Sequence, residues 1–178
     1  MRFDNFHIRL ITYDDADAFY KLIQHNLDRL KDTFAGTVSK TRTIEETRVF
    51  IVAALKNNMQ KLYYPFLIEE IETNKIVGFI DLKNINWDIP KTEIGYFIHK
   101  EYEGKGIAGN ALKTTIGFCF DQLKMSKLFL RTTISNIGSQ RVAEKNGFQK
   151  EGFVRRDYKT ASGEIVDLLY YGLINNNL

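Results

Sequence analysis

Three glycines lie close together at Gly104, Gly106 and Gly109, in the segment YEGKGIAGNAL that runs from 102 to 112. Their spacing is G-x-G-x-x-G, a pattern found where a backbone loop holds the phosphates of a dinucleotide. Glycines let the backbone approach a ligand closely, and free N–H groups at the start of a following helix attract an anion. The segment therefore predicts a phosphate-binding loop, with a plain glycine turn before a helix as the alternative.

A nicotinamide site is one interpretation of this loop, but its surroundings oppose it. In the Rossmann arrangement the glycines open the first βαβ unit, and an acidic residue about 20 residues later holds the ribose. Here four predicted strands precede the glycines, and no acid occurs between Asp121 and Glu144. The Walker pattern does not match either. A nicotinamide-dependent oxidoreductase is therefore kept only as a remote alternative.

The elements that position the loop follow from hydrophobic periodicity and from capping residues. Thr43 with Glu46 three residues later forms a capping box, and Asn136 and Gly147 bound a short helix. The order of elements predicts an α/β (α+β mixed) fold with a central mixed, mostly antiparallel sheet flanked by helices. The predicted strands are 6–12, two between 63 and 85, 91–100, 127–135 and a last hairpin over 148–174, and the predicted helices are 13–30, 44–62, 106–124 and 136–147.

Length and composition limit the classes of protein to consider. The chain has 178 residues, 44% of them hydrophobic and 26% charged, which predicts a single soluble domain over 1–178. No apolar run approaches the ~20 residues of a membrane span, and the N-terminus lacks the apolar region of a signal peptide. The single cysteine, Cys119, can make no internal disulfide. These features predict a cytoplasmic protein that does not bind a membrane.

The charged side chains give no sign of a nucleic-acid or metal site. The net charge is +3, and lysines and arginines are scattered among the acids rather than grouped in a basic stripe. The three histidines His7, His25 and His99 lack the spacing of metal ligands. We therefore expect no nucleic-acid partner and no metal, while a mildly basic surface suits an anionic ligand such as a nucleotide phosphate.

Together with its neighbours, the glycine loop resembles a specific family. The residues EGKGIA at 103–108 resemble the [QR]-x-x-G-x-[GA] acetyl-CoA loop of the GNAT superfamily of N-acetyltransferases, and the strand EIGYFI before them is of the type that the family places beside its cofactor. A second segment, NIGSQRVAEKNGFQKEGFVRRDY at 136–158, resembles the cofactor motif of the branch that acetylates ribosomal-protein N-termini. The resemblance covers nearly the whole chain and implies a GNAT-type fold with acetyl-CoA as co-substrate.

The resemblance also implies which residues hold acetyl-CoA. Backbone donors from Lys105 to Asn110 would hold the pyrophosphate. The strand would splay at Phe97, Ile98 and His99, and its exposed backbone there would pair with the pantetheine arm like an added strand. The Asn136 amide would hydrogen-bond the pantetheine, or serve only as a helix cap. The expected cofactor-binding residues are Phe97, Ile98, His99, Gly104, Lys105, Gly106, Ile107, Ala108, Gly109, Asn110 and Asn136.

One position departs from the family pattern. Glu103 occupies the first position of the loop, where the family usually has Gln or Arg. A carboxylate close to a pyrophosphate would repel it. We therefore expect either that Glu103 turns away from the ligand or that the affinity for the cofactor is reduced.

The implied chemistry is attack of an amine on a thioester, for which the amine must first lose a proton. Glu93 is the predicted general base, because it lies on the cofactor strand and alternation places it on the same face as Phe97. The alternative for Glu93 is a solvent-facing strand residue. Asp81 and Asp157 are weaker candidates for the base.

Ser139 is the predicted donor to the departing thiolate, since it lies one turn beyond Asn136. Many GNAT enzymes place a tyrosine near the position of Ala143, and this chain has none there. The alternative for Ser139 is an ordinary first-turn serine. A ping-pong mechanism through Cys119 and His99 is a remote alternative, because Cys119 lies on an apolar helix face that is typical of a core.

The acceptor implied by the closest branch is a protein or peptide N-terminal amine. The alternative is a small-molecule amine such as a polyamine, amino sugar or antibiotic, and a non-catalytic acyl-CoA sensor is a remote one. A homodimer is expected only by analogy, with the apolar segment 168–174 as an edge strand or as core. A polyamine pocket needs acids, and the candidates at helix starts, which are equally explained as capping charge, are Asp14, Asp15, Asp17, Glu45 and Glu46.

Overall fold

Eight strands form one sheet in the computed structural model, which describes residues 1–176. Their spatial order is β1-β2-β3-β4-β5-β6-β8-β7, and every neighbouring pair is antiparallel except β5 and β6. The predicted mixed, mostly antiparallel sheet is therefore confirmed. The strands are β1 (Arg2–Phe3), β2 (Phe6–Leu10), β3 (Tyr64–Glu70), β4 (Lys75–Asn86), β5 (Lys91–Ile98), β6 (Lys127–Thr133), β7 (Gln149–Lys159) and β8 (Ile165–Ile174).

Helices cover both faces of this sheet. Among the described residues, none of them has the length and apolar content needed to cross a membrane. The α-helices are α1 (Ala16–His25), α2 (Leu27–Leu30), α3 (Ala35–Val38), α4 (Ile44–Met59), α5 (Ile107–Asp121) and α6 (Ile137–Lys145), with short 3-10 turns at Tyr13–Asp15 and Lys100–Tyr102.

The structure corrects the prediction of one helix over 13–30, which is divided at Asn26. The Asn26 side chain is buried, donates to the carbonyl of Leu22 at 2.7 Å and accepts from the backbone N–H of Lys100 at 2.9 Å. These bonds compete with continuation of the helix and tie the break to the segment after β5. The short strand β1 and the helix α3 were also not predicted.

Alternating side chains give the sheet two different faces. On one face Ile80, Ile94 and Leu128 pack with α5, and on the other Phe79 and Phe97 pack with α1 and α4. The segment 168–174 belongs to β8, which lies between β6 and β7, so it is core rather than an edge.

The sheet opens between β5 and β6. The parallel pairing joins only Lys91–Glu93 to 127–129, whereas β6 remains paired with β8 over its whole length. From Ile94 to Ile98, β5 therefore has no strand partner on this side within the described chain. We call this opening the split.

Asp15 fixes the start of the helical layer against β2. Its carboxylate accepts from the Arg9 guanidinium at 2.7 and 2.8 Å and from the N–H and hydroxyl of Thr12 at 2.7 and 2.8 Å. Burial alone would raise the pKa of Asp15, but the hydrogen bonds from Arg9 and Thr12 bring that pKa below its ordinary value. This explains Asp15 as a capping acid rather than part of an acceptor pocket.

The substitution Asp15→Asn is expected to lower the free energy of unfolding by about 2 kcal/mol at neutral pH, since it removes charge-assisted hydrogen bonds. A carboxyl group with a lowered pKa adds stability above its unfolded-state pKa of about 3.9, and that contribution is lost as the pH falls through the folded-state pKa. Denaturant unfolding at about pH 7 and about pH 3 measures the effect. The deficit of the variant should shrink at the lower pH, and an equal deficit at both would contradict this account.

Candidate active site

A cleft of about 2240 Å³ opens at the split and is lined from both faces of the sheet. Tyr96 and Ile98 line it from the face of β5 that carries α5, and Glu93 and Gly95 line it from the opposite face. The glycine loop, Arg29 of α2 and the start of α6 lie at one end, and α3 and α4 with the last hairpin lie at the other. The split therefore joins two chambers, which we call the loop side and the acid side.

The glycine loop presents backbone donors on the loop side. Gly104 and Gly106 have φ values of +73° and +77°, and Gly106 caps α5 in the left-handed conformation. Within residues 1–176, no acceptor is found for the first-turn N–H groups of Ile107, Ala108 and Gly109. Both conformation and free donors fit a phosphate group at the helix start, where the helix dipole also favours an anion.

Two of the expected donors are already used within the protein. The N–H of Asn110 donates to the carbonyl of Gly106 at 3.1 Å, and its side chain donates to Asp4 at 2.8 Å. The N–H of His99 donates to the Val77 carbonyl at 2.7 Å, and its carbonyl accepts from Tyr102. Neither backbone group is free and neither residue lines the cleft, and a role of Asn110 and His99 in cofactor binding stays a prediction.

Lys105 also lies outside the cleft lining. Its ammonium group lies over the ring of Tyr102, 4.8 Å from the centroid. The flexible side chain has no ion-pair partner among the described residues, so a role in charge neutralisation stays a prediction.

Backbone orientation at the split follows from the ladder between β4 and β5. The bond from His99 to Val77 marks a hydrogen-bonded pair, and such pairs recur at every second residue of an antiparallel ladder. Phe97 opposite Phe79 is the next such pair, so its N–H and carbonyl face β4. The backbone groups of Tyr96 and Ile98 instead face the split. Ile98 and Tyr96 therefore present their backbone groups to the split and Phe97 does not, while pairing with an extended ligand stays a prediction.

Glu103 faces an arginine rather than the helix start. Its carboxylate forms a salt bridge with Arg29 of α2, and both side chains line the cleft. The loop has no positive side chain at position 103, and Arg29 brings a positive charge to this point from α2 instead. This pairing balances the negative charge of Glu103.

The start of α6 brings Asn136 and Ser139 to the loop side. The Asn136 side-chain oxygen accepts from the N–H of Ser139 at 3.1 Å, so Asn136 caps the helix. Its side-chain nitrogen has no partner in the described chain and stays available to a ligand. The Ser139 hydroxyl lies 3.2 Å from the phenol oxygen of Tyr96 on β5.

A chain of charged side chains crosses the acid side of the sheet from β4 to β6. Arg131 of β6 binds both oxygens of the Glu93 carboxylate at 3.1 and 3.0 Å, and Asn84 donates to it at 2.6 Å. Lys83 lies 3.4 Å from Asp81 and 4.0 Å from Glu93. Glu93 is thus a buried, ion-paired carboxylate at the foot of the split rather than a solvent-facing residue.

Asp81 lies next to this chain under Gly95. A Cβ atom at position 95 would lie 2.6 Å from the Lys83 ammonium and closer still to an Asp81 oxygen, so a side chain there would displace these two charged groups. Burial raises the pKa of Asp81 above its ordinary value, although Lys83 and a hydrogen bond from Tyr63 at 2.9 Å oppose the rise. A carboxyl group with a raised pKa has the basicity that proton abstraction near neutral pH requires.

Acids outnumber bases on the acid side. Over the whole cleft lining, the acids are Asp28, Asp32, Glu45, Glu46, Asp81, Glu93, Glu103, Glu164 and Asp167, and the bases are Arg29, Lys40, Lys83, Arg131 and Lys145. Of the acids considered for a polyamine pocket, Glu45 and Glu46 line the cleft, whereas Asp14, Asp15 and Asp17 do not. A chamber with this excess of negative charge favours a cationic ligand, in a protein whose net charge is +3.

The last hairpin reaches across to the short helices and bounds the acid side. The N–H of Ala35 donates to the phenol oxygen of Tyr158 at 2.7 Å, and the N–H of Ala161 donates to the Lys31 carbonyl at 2.9 Å. These bonds connect α2 and α3 to the hairpin of β7 and β8. The short helices and the last hairpin therefore bound the cleft together.

Cys119 lies inside the core on α5 and does not line the cleft. Burial raises the pKa of its thiol to about 12, so the thiol is not ionised near neutral pH. Cys119 is thus a core residue, as its apolar helix face predicts, and the ping-pong alternative through Cys119 and His99 has no support in the structure. No group of three or more metal-binding side chains is found within residues 1–176.

Sequence reasoning missed three contributors to the site. Arg131 and Lys83 are ordinary basic residues in strands, and Tyr96 was considered only as part of the strand motif. Strand alternation contained a signal for Arg131, because pairing of Phe129 with Glu93 puts Arg131 on the same face as that carboxylate. This argument requires the pairing of β5 with β6, which the sequence alone does not give.

Comparison with known proteins identifies relatives of this architecture. A family model described as an acetyltransferase (GNAT) domain matches residues 5–149. The putative ribosomal N-acetyltransferase YdaF of Bacillus subtilis (strain 168) is 32% identical over 169 residues, which cover 94% of this chain and 90% of that protein. The spermidine N(1)-acetyltransferase of Vibrio cholerae is 26% identical over 93 residues, which cover 52% of this chain and 53% of that protein.

Solved structures share the fold over almost the full length. The structure of RimL, a ribosomal L7/L12 alpha-N-protein acetyltransferase in complex with coenzyme A, has a TM-score of 0.88 at 20% identity. The match covers 97% of this chain and 95% of that chain. At this level of identity the likeness establishes the fold alone, which agrees with the predicted arrangement of sheet and helices.

Proposed function

Because the chain belongs to the GNAT acetyltransferase family, we propose that it moves the acetyl group of acetyl-CoA directly to the α-amine of a protein or peptide N-terminus. Acetyl transfer is the activity of the family, and the acceptor is the part proposed here. The observation that carries the proposal is the cleft through the split. Free backbone donors lie on one side of the sheet and an excess of acids lies on the other, which supports a site where two substrates meet at the opening.

On the loop side, the free N–H groups of Ile107, Ala108 and Gly109 are the proposed pyrophosphate donors. Gly104 and Gly106 provide the left-handed backbone that aims them. The backbone of Ile98 and the side-chain nitrogen of Asn136 are proposed to hydrogen-bond the pantetheine arm, as an added strand would be bound at an open edge.

On the acid side, Glu93 is the proposed proton acceptor. It is the last residue of β5 that pairs with β6, so its carboxylate lies directly below the opening. Arg131 and Asn84 hold it in one position. Asp81 is the competing candidate because of its raised pKa. Ser139 lies on the other side of the opening and is proposed to donate a hydrogen bond to the sulfur as the thiolate departs.

A small-molecule polyamine is the second candidate acceptor. The specific observation in its favour is the same excess of acids over bases on the acid side, since several cationic nitrogens need several carboxylates. A peptide N-terminus needs only one such contact and uses the remaining length of the cleft for its backbone. The two acceptors therefore differ in how many of the acids they require.

A competition experiment tests the acceptor. The protein is given acetyl-CoA with equal amounts of a peptide with a free N-terminus, the same peptide with a blocked N-terminus and a free lysine, and spermidine. Mass spectrometry of the products should find acetyl groups on the free α-amine. Acetylation of spermidine alone would overturn the proposed acceptor, and binding of acetyl-CoA without transfer to any amine would favour the sensor.

The substitution Glu103→Gln tests the loop. It removes a negative charge near the proposed pyrophosphate and releases Arg29 from its salt bridge. We expect the dissociation constant of CoA, measured by calorimetry, to fall about threefold to tenfold, as is reasonable for a screened charge near the surface. Glu101→Gln is the matched control, since Glu101 pairs with Lys75 and lies outside the cleft lining. Weaker binding by Glu103→Gln would contradict this expectation.

A further inference from the structure

Tyr96 is a partly buried tyrosine whose hydroxyl has no role in the chemistry proposed above. It lies on β5 at the split and lines the cleft, and its oxygen is 3.2 Å from both the carbonyl oxygen and the hydroxyl oxygen of Ser139. Burial raises the pKa of Tyr96 to about 12, against a hydrogen bond with Ser139 that lowers it. The phenol therefore keeps its proton over the whole working range and acts as a donor.

The two acceptors offered to this phenol are not equivalent. The Ser139 carbonyl lies in the first turn of α6, where it accepts the N–H of Ala143 in the ordinary helical pattern. The Ser139 hydroxyl oxygen has no other partner than Tyr96 among the described residues. When the Tyr96 phenol donates to the Ser139 hydroxyl oxygen, the hydroxyl proton of Ser139 has no acceptor among the described residues. That proton is then free to point into the cleft.

We propose that Tyr96 is a positioning residue that orients the Ser139 hydroxyl, so that the serine proton faces the sulfur of acetyl-CoA during transfer. This inference rests on the proposed role of Ser139. When the tetrahedral adduct collapses, the C–S bond breaks and the sulfur keeps the electron pair. The Ser139 hydroxyl donates a hydrogen bond to that sulfur, and Tyr96 strengthens it by donating to the serine oxygen. No proton leaves Tyr96 in this step.

The position of Tyr96 also bears on a gap in the family pattern. Many relatives are expected to place a tyrosine near position 143, where this chain has an alanine that is fully buried. Here a phenol reaches the start of α6 from the strand instead of from the helix. The strand is a rigid support, because Tyr96 pairs with Ile80 in the β4–β5 ladder.

Tyr96→Phe tests the inference, because it keeps the ring and removes only the hydroxyl. We expect kcat to fall about tenfold while KM for acetyl-CoA and the melting temperature stay close to those of the parent protein. The loss should be the same factor between about pH 6 and 9, since the phenol does not ionise in this range. Tyr171→Phe is the matched control: its buried phenol donates to Glu144 and lies outside the cleft lining.

A double-mutant cycle separates this inference from the proposal on which it rests. Ser139→Ala alone should lower kcat at least as much as Tyr96→Phe, and the double variant should lose no more than Ser139→Ala. A normal kcat in Tyr96→Phe beside a low kcat in Ser139→Ala would overturn the role of Tyr96 and leave that of Ser139. Losses that multiply in the double variant would also overturn it. A normal kcat in Ser139→Ala would remove the proposed role of Ser139 itself.

Discussion

Glu93→Gln is expected to lower kcat about 100-fold while leaving KM for acetyl-CoA nearly unchanged, as loss of a general base does. Glutamine keeps the size of the side chain and can still accept from Asn84. It cannot take a proton, and it removes one of the carboxylates that pair with Arg131. Steady-state kinetics with a peptide acceptor measure the effect. The melting temperature is measured alongside, because a buried ion pair is broken.

The control for Glu93→Gln is Asp157→Asn. Asp157 accepts from the same Arg131 at 3.3 Å and from Tyr170 at 2.7 Å, but it lies outside the cleft lining. We expect the kcat of Asp157→Asn to be close to that of the parent protein. A loss of kcat in Glu93→Gln alone would then come from lost proton transfer and not from the loss of an acceptor for Arg131.

The competing base is tested by the pH dependence of kcat. If Asp81→Asn abolishes the fall of kcat at low pH and Glu93→Gln retains it, the base is Asp81 and the assignment of Glu93 is wrong.

Gly106→Val is expected to raise the dissociation constant of CoA about 100-fold. The φ of +77° at position 106 is disfavoured by about 1–2 kcal/mol for a residue with a Cβ, and more for a β-branched one. The loop would relax and turn away the N–H groups that are proposed to hold the pyrophosphate, at about 1.5–3 kcal/mol for each charged hydrogen bond lost. Calorimetric titration with CoA gives the affinity directly.

Gly152→Val provides the matched control in β7. A Cβ there meets nothing within 4 Å, its φ is not positive, and it lies outside the cleft lining. CoA affinity close to that of the parent is expected. If Gly106→Val binds CoA as tightly as the parent while remaining folded, the glycine loop does not hold the cofactor.

Local signals explain why the loop and the helix caps were predictable. Thr43 caps α4 by accepting from Glu46 at 3.2 Å, and Asn136 caps α6 as expected. These interactions lie within three residues of sequence, so the residue types alone indicate them. The same holds for the positive φ at Gly104 and Gly106, since glycine is the residue that adopts it without strain.

The parts that were missed depend on residues far apart in sequence. Glu103 looked unfavourable because its partner, Arg29, is 74 residues away. The break at Asn26 depends on Lys100, which is also 74 residues away. Glu93 looked equally suited to a solvent-facing position, and only the pairing of β5 with β6 shows that Arg131 covers it. Sequence patterns report local preference, whereas these contacts are created by sheet order.

Direct transfer across the split is the central claim, and a single-turnover experiment tests it most directly. The protein is mixed with one equivalent of acetyl-CoA carrying a labelled acetyl group, first alone and then with a peptide bearing a free N-terminus. We predict that the mass of the protein stays unchanged without the peptide, and that the label then appears on the peptide α-amine as CoA is released. Label on the protein before the peptide is added would contradict direct transfer, as would bound acetyl-CoA that no amine consumes.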